Sequence, residues 1–198
     1  MEASVRKTKV DLRREMHERL ASLSPSQVRA RSTAVWERLS VLSEFVSATW
    51  LLVYVSKGHE VDTRGLIQQL LATGKHVCVP KFDDTTQCYV ASELKDFVEE
   101  LEEGRFGILE PKQDAVRLVG ADRLNALLVP GLAFDGTGNR VGRGMGFFDR
   151  LLREARGIKI ALAYDFQALK EVPAVAHDVC VDFIVTEERV VSCKKENQ

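Results

Sequence analysis

At 198 residues with a net charge of −1, the chain has room for one domain with a full core and no general attraction to nucleic acid or anionic membrane. Hydrophobic residues make up 45 %, yet no apolar run approaches the ~20 residues of a spanning helix, and no signal-peptide core opens the chain. Cys78, Cys88, Cys180 and Cys193 never form C-x-x-C, so neither zinc nor redox-pair spacing is present, and Cys78 in VCVP reads as a small buried hydrophobe. The first twenty residues are basic and amphipathic. Glu2, Asp11, Glu15 and Glu18 make them more acidic than mitochondrial transit peptides usually are, so the cytoplasm is expected and mitochondrial import stays open.

The first predicted element is a helix over Val5–Leu23, with Leu12, Met16 and Leu20 on one stripe. Lys9 and Arg13, four apart, share a face; by spacing alone that face is a solvated one. Ser24-Pro25-Ser26-Gln27 opens a second helix with a capping box and proline at the first helical position. ATWLLVYV, residues 48–55, is apolar throughout, as a strand covered on both faces should be. A helix over RGLIQQLLAT, stopped by Gly74, and the strand HVCVP complete a strand–helix–strand unit, which implies a parallel pair. Glu60 falls just beyond the first strand, where open α/β sheets bind ligands; from position alone, an exposed loop acid is the better reading.

A short strand is predicted at Cys88–Ala91. Leu94, Phe97, Val98 and Leu101 then fall at helical spacing within the acidic stretch Glu93–Glu103, which predicts an exposed amphipathic helix. RFGILEP follows at Arg105–Pro111. DRLNALLVPGLA reads as a buried strand and FFDRLLREA as the start of a helix. Between them, Gly136, Gly138, Gly142, Gly144 and Gly146 fall within eleven residues that also hold Arg140 and Arg143. Strand, glycine-rich loop and helix form an arrangement that holds phosphates. Glycine lets the backbone approach, free N–H groups at the helix start face the anion, and arginines add bidentate donors. The spacing matches neither the dinucleotide fingerprint nor the P-loop, so a surface loop with two solvated arginines remains the competing reading. IKIALAY and FIVT are the last predicted strands of a single domain over residues 1–198.

As strings, these segments resemble the 5-formyltetrahydrofolate cyclo-ligase family. GNRVGRGMGFFD is similar to its G-N-R-L-G-R-G-K-G-Y-Y-D, KVDLR to K-x-x-L-R, and HEVDT to G-E-V-D-T, with His59 in place of glycine. RFGILEP, DFQ and VPAVAHDVCVDFIVTEE resemble further family elements, in the family's order, from Lys9 to Glu187. The resemblance implies a three-layer α/β fold with a mostly parallel, Rossmann-like sheet and helices on both faces. It also implies ATP- and Mg²⁺-dependent closure of 5-formyltetrahydrofolate to 5,10-methenyltetrahydrofolate, releasing ADP and phosphate. In that chemistry the formyl oxygen attacks the γ-phosphate, N10 closes on the formyl carbon and inorganic phosphate leaves.

Carried over residue by residue, the resemblance places Arg140 and Arg143 in catalysis. It places Lys9, Arg13, Arg140, Val141, Gly142, Arg143, Gly144, Met145, Gly146, Phe147 and Phe148 on ATP. Val55, Glu60, Phe106 and the stretch Arg143, Gly144, Met145, Gly146 and Phe147 fall on the folate, with a tail of one or several glutamates. Asp149 and Asp182 are the implied Mg²⁺ ligands; by position alone, Asp149 is a helix-start acid favoured by the dipole. Phe106 reads equally as a core aromatic. Met145 stands where many members have lysine, and Phe147-Phe148 replace two tyrosines, removing both phenolic donors. A catalytically weak or silent folate- or nucleotide-binding relative is therefore the alternative. A monomer without nucleic-acid or membrane partners is expected.

Overall fold

A computed structural model describes residues 7–144, 146–175 and 178–193, without the side chain of Phe147. Helix α1 (Lys9–Ala21) starts at Thr8, which forms a capping box with Asp11, and α2 (Pro25–Leu39) starts at Ser24 with the expected box to Gln27. Each box satisfies two backbone donors that a helix start leaves orphaned. The one-turn α3 (Ser43–Val46) leads into β1 (Trp50–Val53). Helix α4 (Arg64–Ala72) then connects to β2 (His76–Asp83), which pairs parallel to β1.

Next come β3 (Cys88–Leu94), β4 (Leu101–Glu103), β5 (Leu109–Pro111), β6 (Leu118–Val119) and β7 (Ala126–Val129). The hairpin of β8 (Ala133–Asp135) and β9 (Arg140–Val141) precedes α5 (Phe147–Glu154). The chain continues through β10 (Ile158–Leu162), β11 (Ala168–Leu169), β12 (Phe183–Val185) and β13 (Val190–Ser192). The main sheet has eight strands in the order β13-β12-β10-β7-β1-β2-β3-β6. Its central five run parallel, while β13 and β3 are antiparallel to their neighbours, so the sheet is mostly parallel as expected.

Alternation along the strands builds two cores. Leu51 and Val53 pack with Met16 of α1, Val35 of α2 and Ile67 of α4, whereas Leu52 and Leu127 pack with Leu151 and Leu152 of α5. Helices thus cover both faces, which is why residues 48–55 carry no polar side on the strand itself. Leu51 and Leu52 are fully buried; burying each such side chain stabilises the fold by ~1.5–3 kcal/mol.

Two expectations are corrected. The acidic stretch Glu93–Glu103 is not a helix: β3 extends to Leu94, paired with Val77, and Leu101 begins β4, paired with Pro111. Between them, the Asp96 carboxylate accepts the N–H groups of Val98 (2.7 Å) and Glu99 (2.9 Å), closing a turn. Two of the acids have partners distant in sequence: His76 meets Glu93 at 2.7 Å, and Arg117 grips both oxygens of Glu100 at 2.7 and 2.9 Å. The glycine-rich segment also divides. Gly136 and Gly138 belong to the β8–β9 turn, where the Asp135 carboxylate accepts the N–H groups of Thr137 and Asn139 at 3.0 and 3.1 Å. Only Gly142, Gly144 and Gly146 lead into α5.

Candidate active site

The C-terminal ends of β1 and β7, the start of α1 and the loop from β9 into α5 surround a cavity of about 760 Å³. Six cations line it, Lys9, Arg13, Lys57, Arg140, Arg143 and Arg153, against three carboxylates, Glu60, Asp149 and Asp178. This positive excess in a concave site favours a polyanion.

One side is built by α1 and the glycine loop. Arg13 Nε donates to the Gly142 carbonyl at 3.0 Å, tying the helix to the loop. Gly144 adopts φ +107°, and a Cβ there would lie 3.3 Å from the Arg13 guanidinium carbon, so the loop needs glycine on two counts. Gly146, at φ +68°, caps α5 and aims the helix start at the cavity. The Arg140 side chain is only 5 % exposed, and its charge is satisfied by Asp149 and by the Pro130 carbonyl at 3.1 Å. Lys9 Nζ lies 2.5 Å from Asp178 Oδ2.

The other side is built by the loop after β1. Lys57 N–H donates to Glu60 Oε2 at 2.9 Å, Tyr54 Oη to the Val61 carbonyl at 3.0 Å, and Tyr164 Oη to the Glu60 carbonyl at 3.1 Å. Burial raises the Tyr54 hydroxyl pKa well above its ordinary value, which keeps it a donor. Arg143 crosses the cavity to Glu60 Oε1 at 2.7 Å. Phe106 holds φ +60°, a conformation that non-glycine residues rarely adopt, and its half-exposed ring meets Phe82 edge-on. Tyr89 and Phe148 continue the aromatic wall, with ring centroids 6.4 Å apart.

The cavity therefore gathers Lys9, Arg13, Val55, Glu60, Phe106, Arg140, Gly142, Arg143, Gly144, Gly146, Phe148 and Asp149 of the expected site. Met145 and the Phe147 side chain lie outside the described residues. Val141 is fully buried in the core below the loop, and its carbonyl accepts the Leu132 N–H at 2.7 Å, so it supports the loop from beneath. Asp182 is not brought to Asp149. It precedes β12 beside Lys159, toward the N-terminal ends of the parallel strands, and its Oδ2 accepts the Lys159 N–H at 2.8 Å. The cavity opens at the opposite ends, so the expected carboxylate pair does not form. Sequence reading missed Tyr54, Lys57, Tyr89, Arg153 and Asp178. For Arg153 the signal was the i+4 spacing from Asp149 on α5; for Asp178 only the fold reveals its meeting with Lys9.

The model of the 5-formyltetrahydrofolate cyclo-ligase family matches residues 5–187. The chain belongs to this family. It is 30 % identical to the Escherichia coli 5-formyltetrahydrofolate cyclo-ligase over 178 residues, covering 88 % of this chain and 98 % of that one. Identity to the mouse 5-formyltetrahydrofolate cyclo-ligase is 26 % over 199 residues, covering 96 % and 98 %. The fold is similar to the solved Aquifex aeolicus 5,10-methenyltetrahydrofolate synthetase with a TM-score of 0.84 and 31 % identity, covering 96 % of this chain and 95 % of that one. In this cyclo-ligase family member, Phe148 and Asp149 at the head of α5 both line the cavity.

Proposed function

We propose that this chain converts 5-formyltetrahydrofolate to 5,10-methenyltetrahydrofolate with ATP and Mg²⁺, releasing ADP and phosphate, as a cytoplasmic monomer. The observation that carries this reading is that Lys9, Arg13, Arg140 and Arg143 share one cavity with Glu60 and Phe106. A triphosphate suits the first set. A neutral bicyclic ring with N–H donors suits an acid beside an aromatic.

An N-formyl amide is a poor electrophile with a poor leaving group, so the chain's task is to position it and to stabilise charge. Arg13 and the glycine loop cradle the phosphates, while Arg143 reaches the γ-phosphoryl group and Arg140 fixes the loop from below. Glu60 accepts from the pterin, and Phe106 covers its face. So held, the formyl oxygen attacks the γ-phosphorus and the bond to ADP breaks. N10 then attacks the formyl carbon and loses its proton, and the C–O bond cleaves to release phosphate. Proximity removes an entropic share of the barrier, and the arginines stabilise the charge that develops on the transferred phosphoryl group.

Among the described residues, no group of three His, Cys, Asp or Glu side chains forms a metal cage. Mg²⁺ does not require one, because it keeps several waters and is bound through one or two carboxylates plus substrate phosphates. Asp149, at the cavity wall and partly exposed, fits that role, and the ion would supply further neutralisation of phosphate charge. The test is direct. Purified protein given ATP, Mg²⁺ and 5-formyltetrahydrofolate should develop the near-ultraviolet absorbance of a methenyl amidinium. Folded protein that binds both ligands and shows no chromophore would instead be the silent relative that Phe147-Phe148 favours.

A further inference from the structure

Most cations in and around the Phe106 end of the cavity are committed to carboxylates. Arg143 is paired with Glu60 at 2.7 Å, Arg105 with Asp84 at 3.0 Å, and Lys81 with the buried Glu110 at 3.5 Å. Lys57 differs. Its backbone N–H goes to Glu60, and its ammonium donates to the Phe106 carbonyl, a neutral acceptor. Among the described residues, Lys57 forms no ion pair. An ammonium has three donors, so two remain beside the Phe106 carbonyl, with the Glu103 carboxylate near but not in contact as an ion pair. The side chain is exposed and lines the cavity beside the half-exposed ring of Phe106. It also stands away from the Lys9–Arg13 side, where phosphates belong.

We propose that Lys57 is a specificity-determining residue that binds a carboxylate of the substrate's glutamate tail as the tail leaves the cavity past Phe106. This rests on the folate reading above. The chemistry fits: with the ring held by Glu60 and Phe106, the remaining part of the substrate is an anionic chain that must exit to solvent. The tail carboxylate accepts from one of the donors left on Nζ, and it adds a charge-assisted hydrogen bond beside the neutral one to the Phe106 carbonyl. The position recognises carboxylates in general, so a longer glutamate chain supplies more acceptors near the same ammonium.

The experiment compares wild type with Lys57→Met and Lys57→Arg on two substrates, 5-formyltetrahydrofolate and 5-formyltetrahydropteroate, which lacks the glutamate. For an exposed ion pair at a rim, Lys57→Met should raise KM for the full substrate about five-fold, with kcat and the KM for ATP unchanged. On the pteroate, wild type and Lys57→Met should behave alike. Lys57→Arg should restore most of the loss. If Lys57 serves only to hold the Phe106 turn, Lys57→Met will impair both substrates equally, and the proposal fails. An unchanged KM for the full substrate also overturns it. Wild type that turns over neither substrate refutes the cyclo-ligase reading itself, a separate outcome.

Discussion

Arg143 Nη2 lies 2.7 Å from Glu60 Oε1, joining residues 83 positions apart across the mouth of the cavity. In the proposed reading, Arg143 belongs to the loop that holds phosphate and Glu60 to the loop that holds the folate. Each is therefore held by the other until ligands replace the contact. The Arg143 side chain is 48 % exposed, so the pair contributes only ~0–1 kcal/mol to stability. Glu60→Gln should leave the melting temperature nearly unchanged and raise KM for 5-formyltetrahydrofolate about tenfold, the scale of one charge-assisted hydrogen bond. A melting temperature that drops by many degrees with an unchanged KM would make the pair a structural strut.

The two loop arginines should separate cleanly. Removing the buried Arg140 leaves both Asp149 and the Pro130 carbonyl without their donor. Breaking a buried pair costs ~3–5 kcal/mol, and the partial exposure of Asp149 reduces this to roughly 2–4. Arg143→Met should cost under ~1 kcal/mol, yet abolish most turnover. Chemical denaturation of Arg140→Met and Arg143→Met, read beside their kcat values, checks the contrast. Equal losses of stability would contradict it.

Phe148 lines the cavity next to Asp149, with its ring against Tyr89. Phe148→Tyr adds a phenolic donor at the head of α5 with the ring packing kept. If that donor meets phosphate only in the transition state, kcat rises modestly and KM for ATP holds. Steady-state kinetics of the single variant, and of a double variant with Phe147→Tyr, measure this. No gain in either means that the arginines already supply the needed donors.

Alkaline pH should weaken the fold through buried acids. Burial pushes the Cys78 and Cys193 thiols from 9.0 up to about 12, and burial beside Glu110 pushes the Tyr89 hydroxyl from 10.0 up to about 12. Each group holds its proton more tightly folded than unfolded. Their stabilising contribution is complete below pH 9 and is lost as pH rises from about 9 to about 12. Denaturation midpoints measured across that window should fall, and Cys78→Ala should fall less steeply than wild type. An identical slope in Cys78→Ala would remove the buried thiol from the explanation.

What the sequence disclosed follows the range of the interactions involved. Ser24 and Gln27 state their capping box within four residues, and the apolar run at 48–55 states its two-sided burial locally. The stretch Glu93–Glu103 misleads because Leu94, Phe97, Val98 and Leu101 satisfy a helical period. Its real partners, Val77 and Pro111, lie elsewhere in the chain. Likewise Asp149 and Asp182 follow one another in the family's motif order, but no local pattern says that they sit toward opposite ends of the strands. Lys9 meets Asp178 across 169 positions, which only the fold can bring about. The family strings located the cavity well because they sample the loops around it, not the strands beneath.

In the proposed reaction the formyl oxygen itself is phosphorylated and leaves as part of phosphate. Turnover of substrate carrying ¹⁸O in the formyl group tests this most directly, with the released phosphate read by mass spectrometry. One labelled oxygen in each phosphate, formed one-for-one with ADP and methenyl product, is the predicted result. Unlabelled phosphate with the label appearing in water would contradict the account.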